Sequence, residues 1–272
     1  MELQFFCPHW GSEHMPFDEF AARVKNAGYD GVEMSLPFER LKKEAILEVL
    51  DNQGLLFIAQ HWETVDSQID HHTRAYEKRL RHLASAGPLF INSQTGKDYF
   101  SFDENNSLIQ LASAIEKETG VTIVHETHRG KFSFAAHVTK SYLQKLPGLR
   151  LTLDISHWCA VAESLLHDQP DAIELAIKHT QHIHARVGYS QGPQVPDPND
   201  ILWKEALENH LGWWQKVADA RQRSGAKTFT ITPEFGAPPY TVLLPGTHQP
   251  ISDQWENNVF MMEYLKKNLV VE

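Results

Sequence analysis

Short apolar segments alternate with longer amphipathic segments along the whole chain. Eight short segments are rich in Val, Ile, Leu, Phe or Thr, which is typical of strands buried on both faces. They are Leu3–Cys7, Gly31–Ser35, Leu55–Gln60, Pro88–Ser93, Val121–Glu126, Leu149–Asp154, His182–Val187 and Thr228–Glu234. The segments between them have apolar residues spaced for one helical face. The predicted helices are Phe17–Ala27, Phe38–Asn52, Asp70–Ala86, Asn106–Glu118, Phe134–Lys145, Cys159–His179, Trp203–Arg223 and Gln254–Lys267.

This alternation of strand and helix predicts a parallel sheet, and eight strand–helix units predict its closure into a barrel. We therefore expect an α/β fold, a (β/α)8 TIM barrel that forms a single domain over residues 1–272. A doubly wound open sheet is the alternative, but the first strand–helix turn, Cys7–Ser12, lacks a glycine-rich phosphate-binding sequence. The longest irregular stretches, Tyr189–Asp200 and Gly236–Asp253, follow late strands and are expected over the barrel mouth.

Composition narrows the classes of partner. The chain has 35 Asp and Glu against 25 Lys and Arg, a formal net charge of -10. A negative surface repels phosphate backbones and anionic lipid, which argues against nucleic-acid and membrane partners. The start of the chain lacks the basic and apolar pattern of a signal peptide, and Cys7 and Cys159 form no disulfide framework. We therefore expect a cytoplasmic protein.

Metal-ligating and acid–base residues are concentrated where the predicted strands end. In a TIM barrel those ends surround the active site. The residues at these positions are His9, Trp10, Glu33, His61, Trp62, Asn92, Glu126, His128, Asp154, His157, His182, His184, Arg186 and Glu234. Four of them, on the last four strands, are the strongest candidates for a shared site: Glu126, Asp154, His184 and Glu234.

These four residues point to a bound cation. Three carboxylates that converge inside a barrel would repel one another strongly unless a cation lies among them. Three carboxylates and one imidazole form an oxygen-rich ligand set, which favours Mn²⁺ or Mg²⁺ and also allows Co²⁺ or Zn²⁺. His182 lies on the same strand face as His184 and is the alternative imidazole ligand.

Each candidate also has a purely structural interpretation. A strand-end carboxylate such as Asp154 can cap the next helix, and Glu33 is more easily explained as structural. A single histidine on a strand is more often a hydrogen-bonded core residue. The tryptophans Trp10, Trp62 and Trp158 are packing residues by default, and the pair His71-His72 is expected to be exposed and without a role. Only the ordered set of four outweighs these interpretations.

This ordered set resembles the xylose isomerase-like superfamily of sugar phosphate isomerases and epimerases. The resemblance extends over the eight-unit plan. It rests on Gly28–Glu33, on Asp154 followed three residues later by His157, on the histidine-bearing strand and on Glu234 at the last strand. It implies a TIM barrel with one divalent metal ion held by Glu126, Asp154, His184 and Glu234. It also implies that His157 contacts a substrate oxygen near the metal.

Two positions differ from the superfamily pattern. Arg186 and Val187 stand where many members have Lys-Asp, and Ser190 stands where ketose epimerases have an arginine. The stretch Tyr189–Pro198 resembles a branch other than the well-known enzymes. The resemblance therefore leaves open which substrate is used, and whether the sugar is phosphorylated.

The favoured hypothesis is a metal-dependent isomerase or epimerase that acts on a sugar or sugar phosphate through an enediolate. Glu126 and Glu234 would remove and return the proton of the α-carbon from opposite faces of the substrate. Arg186 would hold a distal hydroxyl, phosphate or carboxylate. The aromatic residues that would stack on the apolar face of the sugar are Trp10, Trp62 and Trp158. The remaining candidates for substrate binding are His61, His128, His157 and His182.

Other functions share parts of this pattern. A metal-dependent dehydratase of a keto-sugar or keto-cyclitol would use His61 or His128 as general acid for the leaving hydroxyl. The sequence His182-Ile183-His184 also occurs in amidohydrolases, but there it lies on the first strand. The endonuclease branch of the superfamily needs several zinc ions and a basic groove, which the net charge of -10 argues against. A sugar-binding barrel without catalysis and a homo-oligomer are further possibilities.

Overall fold

Eight parallel strands close into a barrel in chain order in the computed structural model, which describes residues 1–271. The barrel closes where Glu2 to Phe5 of the first strand pair with Thr228 to Ile231 of the last. The strands are β1 (Glu2–Pro8), β2 (Gly31–Met34), β3 (Leu56–His61), β4 (Ile91–Ser93), β5 (Ile123–Glu126), β6 (Leu151–Leu153), β7 (Thr180–His184) and β8 (Thr228–Thr232). The predicted (β/α)8 barrel is therefore confirmed.

Helices follow the strands around the outside of the barrel. Within residues 1–271 they are α1 (Phe17–Asn26), α2 (Arg40–Gln53), α3 (Ile69–Ala84), α4 (Phe102–Thr119), α5 (Ala136–Lys145), α6 (Ser156–Ala162), α7 (Pro170–His179), α8 (Lys204–Arg223) and α9 (Gln254–Asn268). Helix α4 begins with a capping box, in which Ser101 and Glu104 each bond the other's backbone N–H. No helix in this range combines the length and apolar composition that a membrane crossing needs.

One predicted helix is two helices in the structure. The prediction Cys159–His179 is wrong because the chain turns between α6 and α7. Glu163 and Leu166 adopt positive φ angles of 49° and 59° there, which a continuous helix does not allow. Pro170 then begins α7, where its missing N–H and fixed φ are tolerated. Strand β7 also begins at Thr180, two residues before the predicted start at His182.

Alternate strand residues divide the barrel into an apolar outside and a polar inside. Val32, Ile183 and Ile231 belong to the hydrophobic core. Their neighbours on the same strands are buried polar residues that contact one another: Glu33, His182, His184, Thr230 and Thr232. The two-residue repeat of a strand places these two sets on opposite faces. The polar set therefore points to the barrel axis, on which the candidate site is built.

The two long loops predicted over the barrel mouth contact each other. Gln194, in the loop after β7, accepts a hydrogen bond from the backbone N–H of Gly236 at 2.7 Å and donates to its carbonyl at 3.3 Å. Ser252 donates to the carbonyl of Pro196 at 2.6 Å. These bonds fix the position of the loop after β8 against the loop after β7.

Candidate functional site

The four predicted metal ligands converge at the carboxyl ends of the last four strands. Glu126 and His184 are the last residues of β5 and β7, and Asp154 and Glu234 follow β6 and β8. One ligand atom from each lies within 4.8 Å of all the others. All four side chains are buried. Residues separated by up to 108 positions in sequence are thus close enough to share one ion.

Glu33, at the end of β2, holds the imidazoles of β7. Its Oε1 lies 3.0 Å from Nε2 of His184, and its Oε2 lies 3.2 Å from Nε2 of His182. Thr232 donates to Oε2 at 2.5 Å, and the amide of Asn92 donates to Oε1 at 2.8 Å. The amide of Asn92 also donates to Glu126 at 3.1 Å. Glu33 and Asn92 therefore connect the inside of the barrel to the candidate ligands.

The other ring nitrogen of His184 has no aligned hydrogen bond. Nδ1 is buried and lies 2.9 Å from Oε2 of Glu234 and 3.8 Å from Oε1 of Glu126. Metal-ligating histidines typically bind through one ring nitrogen while the other N–H donates to a carboxylate. His184 has this arrangement, with Nε2 on Glu33 and Nδ1 facing carboxylate oxygens. The residues present therefore fit a divalent cation.

The charges in this cluster are unbalanced. Burial raises the pKa of Glu126 to about 8, and the charges of Glu234, Asp154 and Glu33 act in the same direction, against that of His184. Burial would lower the pKa of His184, but the three glutamates raise it well above its ordinary value. Burial also raises the pKa of Asp154, despite the nearby Arg186 guanidinium. A cation among these side chains would offset the repulsion between the carboxylates.

Arg186, two residues beyond β7, is engaged by protein groups on all three of its nitrogens. Its Nη2 forms an ion pair with Asp154, lies 3.5 Å from Glu234 and lies 2.8 Å from Nε2 of His157. Its Nε donates to Ser156 at 3.2 Å, and its Nη1 donates to the Glu234 carbonyl at 3.4 Å. The guanidinium of Arg186 thus contacts two of the candidate metal ligands, Asp154 and Glu234.

A cavity of about 570 Å³ lies beside this cluster. Gln60 and Gln94 line it and donate to Glu234 at 3.0 Å and to Glu126 at 3.2 Å. The full lining is His9, Trp10, Glu13, Met34, Ser35, Pro37, Ile46, Gln60, Trp62, Gln94, His128, Arg186, Glu234 and Tyr240. A ligand in this cavity would touch Glu234 directly and would reach the neighbourhood of Glu126 through Gln94.

The structure separates the predicted substrate-binding residues into two groups. Those that line the cavity are Trp10, Trp62, His128 and Arg186. His157 is fully buried beside Arg186, and its Nδ1 accepts a hydrogen bond from Arg129 at 3.1 Å. It therefore lies behind the arginine and not on the cavity wall.

Two predicted substrate-binding histidines, His61 and His182, are not among the residues that line the cavity. His61 is buried, with Ser93 Oγ at 3.1 Å from Nδ1 and Thr64 Oγ1 at 2.7 Å from Nε2. His182 is buried, and its Nδ1 lies 2.9 Å from the carbonyl of Thr230. The Nε2 of His182 contacts Glu33, so both ring nitrogens of each histidine contact protein groups. These two histidines therefore stabilise the inside of the barrel. His184, and not His182, is the imidazole within 4.8 Å of Glu126, Asp154 and Glu234.

Two further expectations are wrong. Trp158 does not stack in the cavity: it is fully buried, and its indole N–H donates to the Ser133 carbonyl at 2.8 Å. His72 is buried rather than exposed, and its Nδ1 lies 2.9 Å from the Asp66 carbonyl. Trp158 therefore has the packing role that is the default for a tryptophan, whereas the polar sequence around His72 gave no indication of burial.

The sequence did not single out several residues of the site. Gln60 and Tyr240 line the cavity, and Gln94 bridges it to Glu126. Tyr240 lies in an irregular loop, with its ring 4.7 Å from the guanidinium of Arg186. Glu33 carried a signal, as a charged residue at a strand end, but nothing nearby in sequence revealed its histidine partners. These contacts exist only once the barrel closes.

Comparison with known structures shows the same fold in three proteins of low sequence identity. The 3-keto-D-glucoside 4-epimerase from E. coli has a TM-score of 0.61 at 14% identity, over 97% of this chain and 99% of that one. A protein described as the probable 3-DHS dehydratase of petrobactin synthesis from Bacillus anthracis has a TM-score of 0.60 at 16% identity, over 98% and 99%. A xylose isomerase domain containing protein from Salmonella typhimurium has a TM-score of 0.61 at 12% identity, over 86% and 89%.

Comparison of the sequence with protein-family models and with curated proteins finds no match. At identities of 12 to 16%, the structural likeness establishes the fold alone. The chain therefore has the barrel of xylose isomerase-like proteins, and the resemblance predicted from its sequence is confirmed at the level of the fold.

Proposed function

We propose that this chain is a divalent-metal-dependent enzyme that isomerises or epimerises a sugar through an enediolate. The observation that carries the proposal is the convergence of three carboxylates and the imidazole of His184 within 4.8 Å, beside a cavity of about 570 Å³. The structural likeness to a keto-glucoside epimerase and to a xylose isomerase domain supports it. The substrate would be a small carbohydrate.

Glu126, Asp154, His184 and Glu234 would hold the ion. A divalent cation supplies Lewis acidity, which polarises a carbonyl and stabilises the negative charge that develops on its oxygen when an adjacent proton leaves. Glu33 fixes the ring of His184 from behind, and Asn92 fixes Glu33 and Glu126 relative to each other. Manganese as the native ion, a cytoplasmic location and a homo-oligomeric state stay predictions from the sequence.

Two carboxylates would move the proton. Glu234 lines the cavity and is held by Gln60, so its carboxylate can meet a substrate carbon directly. Glu126 is held by Gln94 and Asn92 on a different strand. The separation of the two groups onto β5 and β8 supports proton removal on one side of the substrate and return on the other.

Proton exchange tests this assignment. A panel of ketoses (D-fructose, D-tagatose, D-psicose and L-sorbose) incubated in D₂O with Mn²⁺ is expected to lose the ¹H NMR signal of one carbon-bound proton. Glu126→Gln and Glu234→Gln are each expected to abolish the exchange, while Glu44→Gln, on the exposed surface of α2, leaves it unchanged. Full exchange in either site variant would contradict the two-carboxylate scheme. A new enone absorbance would indicate loss of water and hence a dehydratase.

Metal content tests the site independently of turnover. Protein purified without chelator is expected to contain about one equivalent of divalent metal per chain, because the cluster offers a single set of four ligands. Asp154→Asn is expected to lower the bound fraction, since it removes one charged ligand. Elemental analysis of folded protein that finds no metal, and no uptake of added Mn²⁺, would rule out the proposed chemistry.

A further inference from the structure

The cavity offers no free positive charge to a phosphate group. Arg186 is its sole lysine or arginine among the described residues that line it, and the side chain is only 1% exposed. All three guanidinium nitrogens already contact Asp154, Glu234, Ser156 or His157. Sugar phosphates are typically held by charge-assisted hydrogen bonds from arginine, lysine or a helix N-terminus. To bind a phosphate, Arg186 would have to give up its bonds to Ser156 and to the Glu234 carbonyl, neither of which involves a proposed metal-binding oxygen.

The remaining charge on the cavity wall also disfavours an anion. Glu13 lines the cavity after β1, and its carboxylate accepts the N–H of Gly11 at 2.9 Å. Arg129 lies outside the lining residues, where its Nε donates to His157. A phosphate group in the cavity would therefore lie near the carboxylate of Glu13, and the guanidinium of Arg186 would already be bonded to protein groups.

Part of the cavity wall is apolar. Met34, Pro37 and Ile46 line it from β2 and α2, together with Trp62 from the end of β3. Trp62 is 53% exposed, so a large aromatic face is open to a ligand at the mouth. Cavities of about 300 to 1,000 Å³ typically take drug-sized ligands, which exceed a single sugar ring.

Two aromatic residues of the cavity wall, Trp10 and Tyr240, contact each other and are fixed in place. The backbone carbonyl of Trp10 accepts a hydrogen bond from Gln254 at 2.7 Å, and its ring meets Tyr240 edge-to-face at 5.1 Å. The ring also packs directly on Gly236, where a side chain would overlap it. A fixed aromatic face binds the apolar side of a sugar ring with little loss of side-chain entropy.

We propose that the cavity takes an uncharged sugar extended by a second ring, such as a glycoside or disaccharide, rather than a sugar phosphate. This inference rests on the proposed function, since the reacting sugar is placed over Glu234. The second ring lies against Trp62 and the apolar wall formed by Met34, Pro37 and Ile46. Trp62 is then the residue that determines this specificity.

Matched ligands separate the two substrate classes. The first set is D-fructose, D-fructose 6-phosphate and isomaltulose, in which O6 of fructose is free, phosphorylated or glucosylated. The second set is D-glucose, D-glucose 6-phosphate and gentiobiose, with the same three states of O6. Calorimetric titration of the Mn²⁺-supplemented protein is expected to show at least about 10-fold tighter binding of the glucosylated form than of the free sugar in one set or both. The phosphorylated form is expected to bind no more tightly than the free sugar.

Two variants test whether Trp62 determines the preference for the glucosylated sugar. Trp62→Ala is expected to remove the advantage of the glucosylated sugar, so that the free and glucosylated forms bind with similar affinity. Tyr99→Ala, at an exposed aromatic residue outside the cavity lining, is expected to change neither. A preference for a phosphorylated sugar in either set would overturn the inference, and its loss in Arg129→Gln would identify the phosphate anchor. Equal affinity for free and glucosylated sugars in both sets would overturn it as well.

The binding measurement does not depend on the proposed chemistry. If the glucosylated sugar binds best while no ketose exchanges a proton, the isomerase proposal fails and the specificity assignment stands. If exchange occurs and D-fructose 6-phosphate binds best, the chemistry stands and the specificity assignment fails. The two proposals can therefore fail separately.

Discussion

Glu33 shows how much one buried carboxylate can organise. It contacts two imidazoles, one hydroxyl and one amide, and the partners come from β4, β7 and β8. A buried carboxylate is tolerated only when such partners satisfy it. Its most direct effect is on His184, because a hydrogen bond to Nε2 fixes the ring and directs Nδ1 toward Glu126 and Glu234.

Replacing Glu33 with glutamine tests this positioning role. The amide oxygen can still accept one imidazole N–H, but the negative charge that would strengthen Nδ1, the proposed metal-binding nitrogen, is lost. Such outer partners of ligating histidines typically contribute 10- to 100-fold in metal affinity. We expect Glu33→Gln to weaken Mn²⁺ binding by about 10-fold or more in a titration followed by the EPR signal of free Mn²⁺.

A control separates this effect from a general change of charge. Glu44→Gln removes one negative charge from the exposed face of α2 and is expected to leave Mn²⁺ affinity within about 2-fold, because exposed charges are screened. Circular dichroism confirms that the Glu33→Gln protein is folded. Unchanged Mn²⁺ affinity in a folded Glu33→Gln protein would show that the contact with His184 is structural only.

At the scale of elements, the strands were predictable and the loops were not. All eight strands overlap the apolar runs that predict them, because a strand covered on both faces needs a continuous apolar run. The break between α6 and α7 was missed although Pro170 inside the predicted helix is a breaker; the positive φ at Glu163 and Leu166 gave no further signal, because neither residue type favours a turn. Likewise, no local pattern indicated that Tyr240 folds back over Arg186.

The loop after β8 shapes the cavity through Gly236. A Cβ at this position would overlap the ring of Trp10, and the backbone is held on both sides by Gln194. We expect Gly236→Ala to force Trp10 from its position on the cavity wall and to lower the free energy of unfolding by about 1 to 3 kcal/mol. Urea denaturation measures the second effect, and tryptophan fluorescence measures the first.

A second glycine provides the opposite case. Gly212 lies on the exposed face of α8, and a Cβ there would meet no atom within 4 Å. Gly212→Ala is therefore expected to raise the free energy of unfolding by up to about 1 kcal/mol, because alanine favours the helix. An unchanged or raised free energy of unfolding in Gly236→Ala would contradict the packing of Trp10 on Gly236.

For the whole molecule, the closure of the barrel explains why the four candidate ligands could be predicted from the sequence and why the contacts of Glu33 could not. The order Glu126, Asp154, His184, Glu234 was visible because closing eight parallel strands brings their carboxyl ends to one rim. The same closure brings Glu33 to His182 and His184, which are about 150 residues away in the chain. Those contacts depend on the exact direction in which each inward side chain points. The hydrophobic pattern predicts only whether a side chain points inward or outward.

Closure also buries histidines that must stay uncharged, and His210 in α8 is the clearest case. Its Nδ1–H donates to the Ala206 carbonyl at 2.8 Å, and its Nε2 accepts the N–H of Gly188 at 3.2 Å. A second proton would break the bond to Gly188, and burial accordingly lowers the pKa of His210 to about 4.

This histidine makes the stability of the whole molecule depend on pH. The unfolded chain binds the proton below its ordinary pKa of 6.5, while the folded protein resists it until about pH 4. Unfolding therefore takes up a proton in this range, and stability falls as the pH is lowered. His210 alone is expected to account for about 2 kcal/mol of the stability lost between pH 7 and pH 5.

Urea denaturation of wild type and His210→Gln at both pH values isolates this contribution, because the contributions of the other buried groups cancel in the difference. An equal loss in the two proteins would show that His210 is protonated in the folded state, and the bond from Gly188 to its Nε2 would then have to be absent.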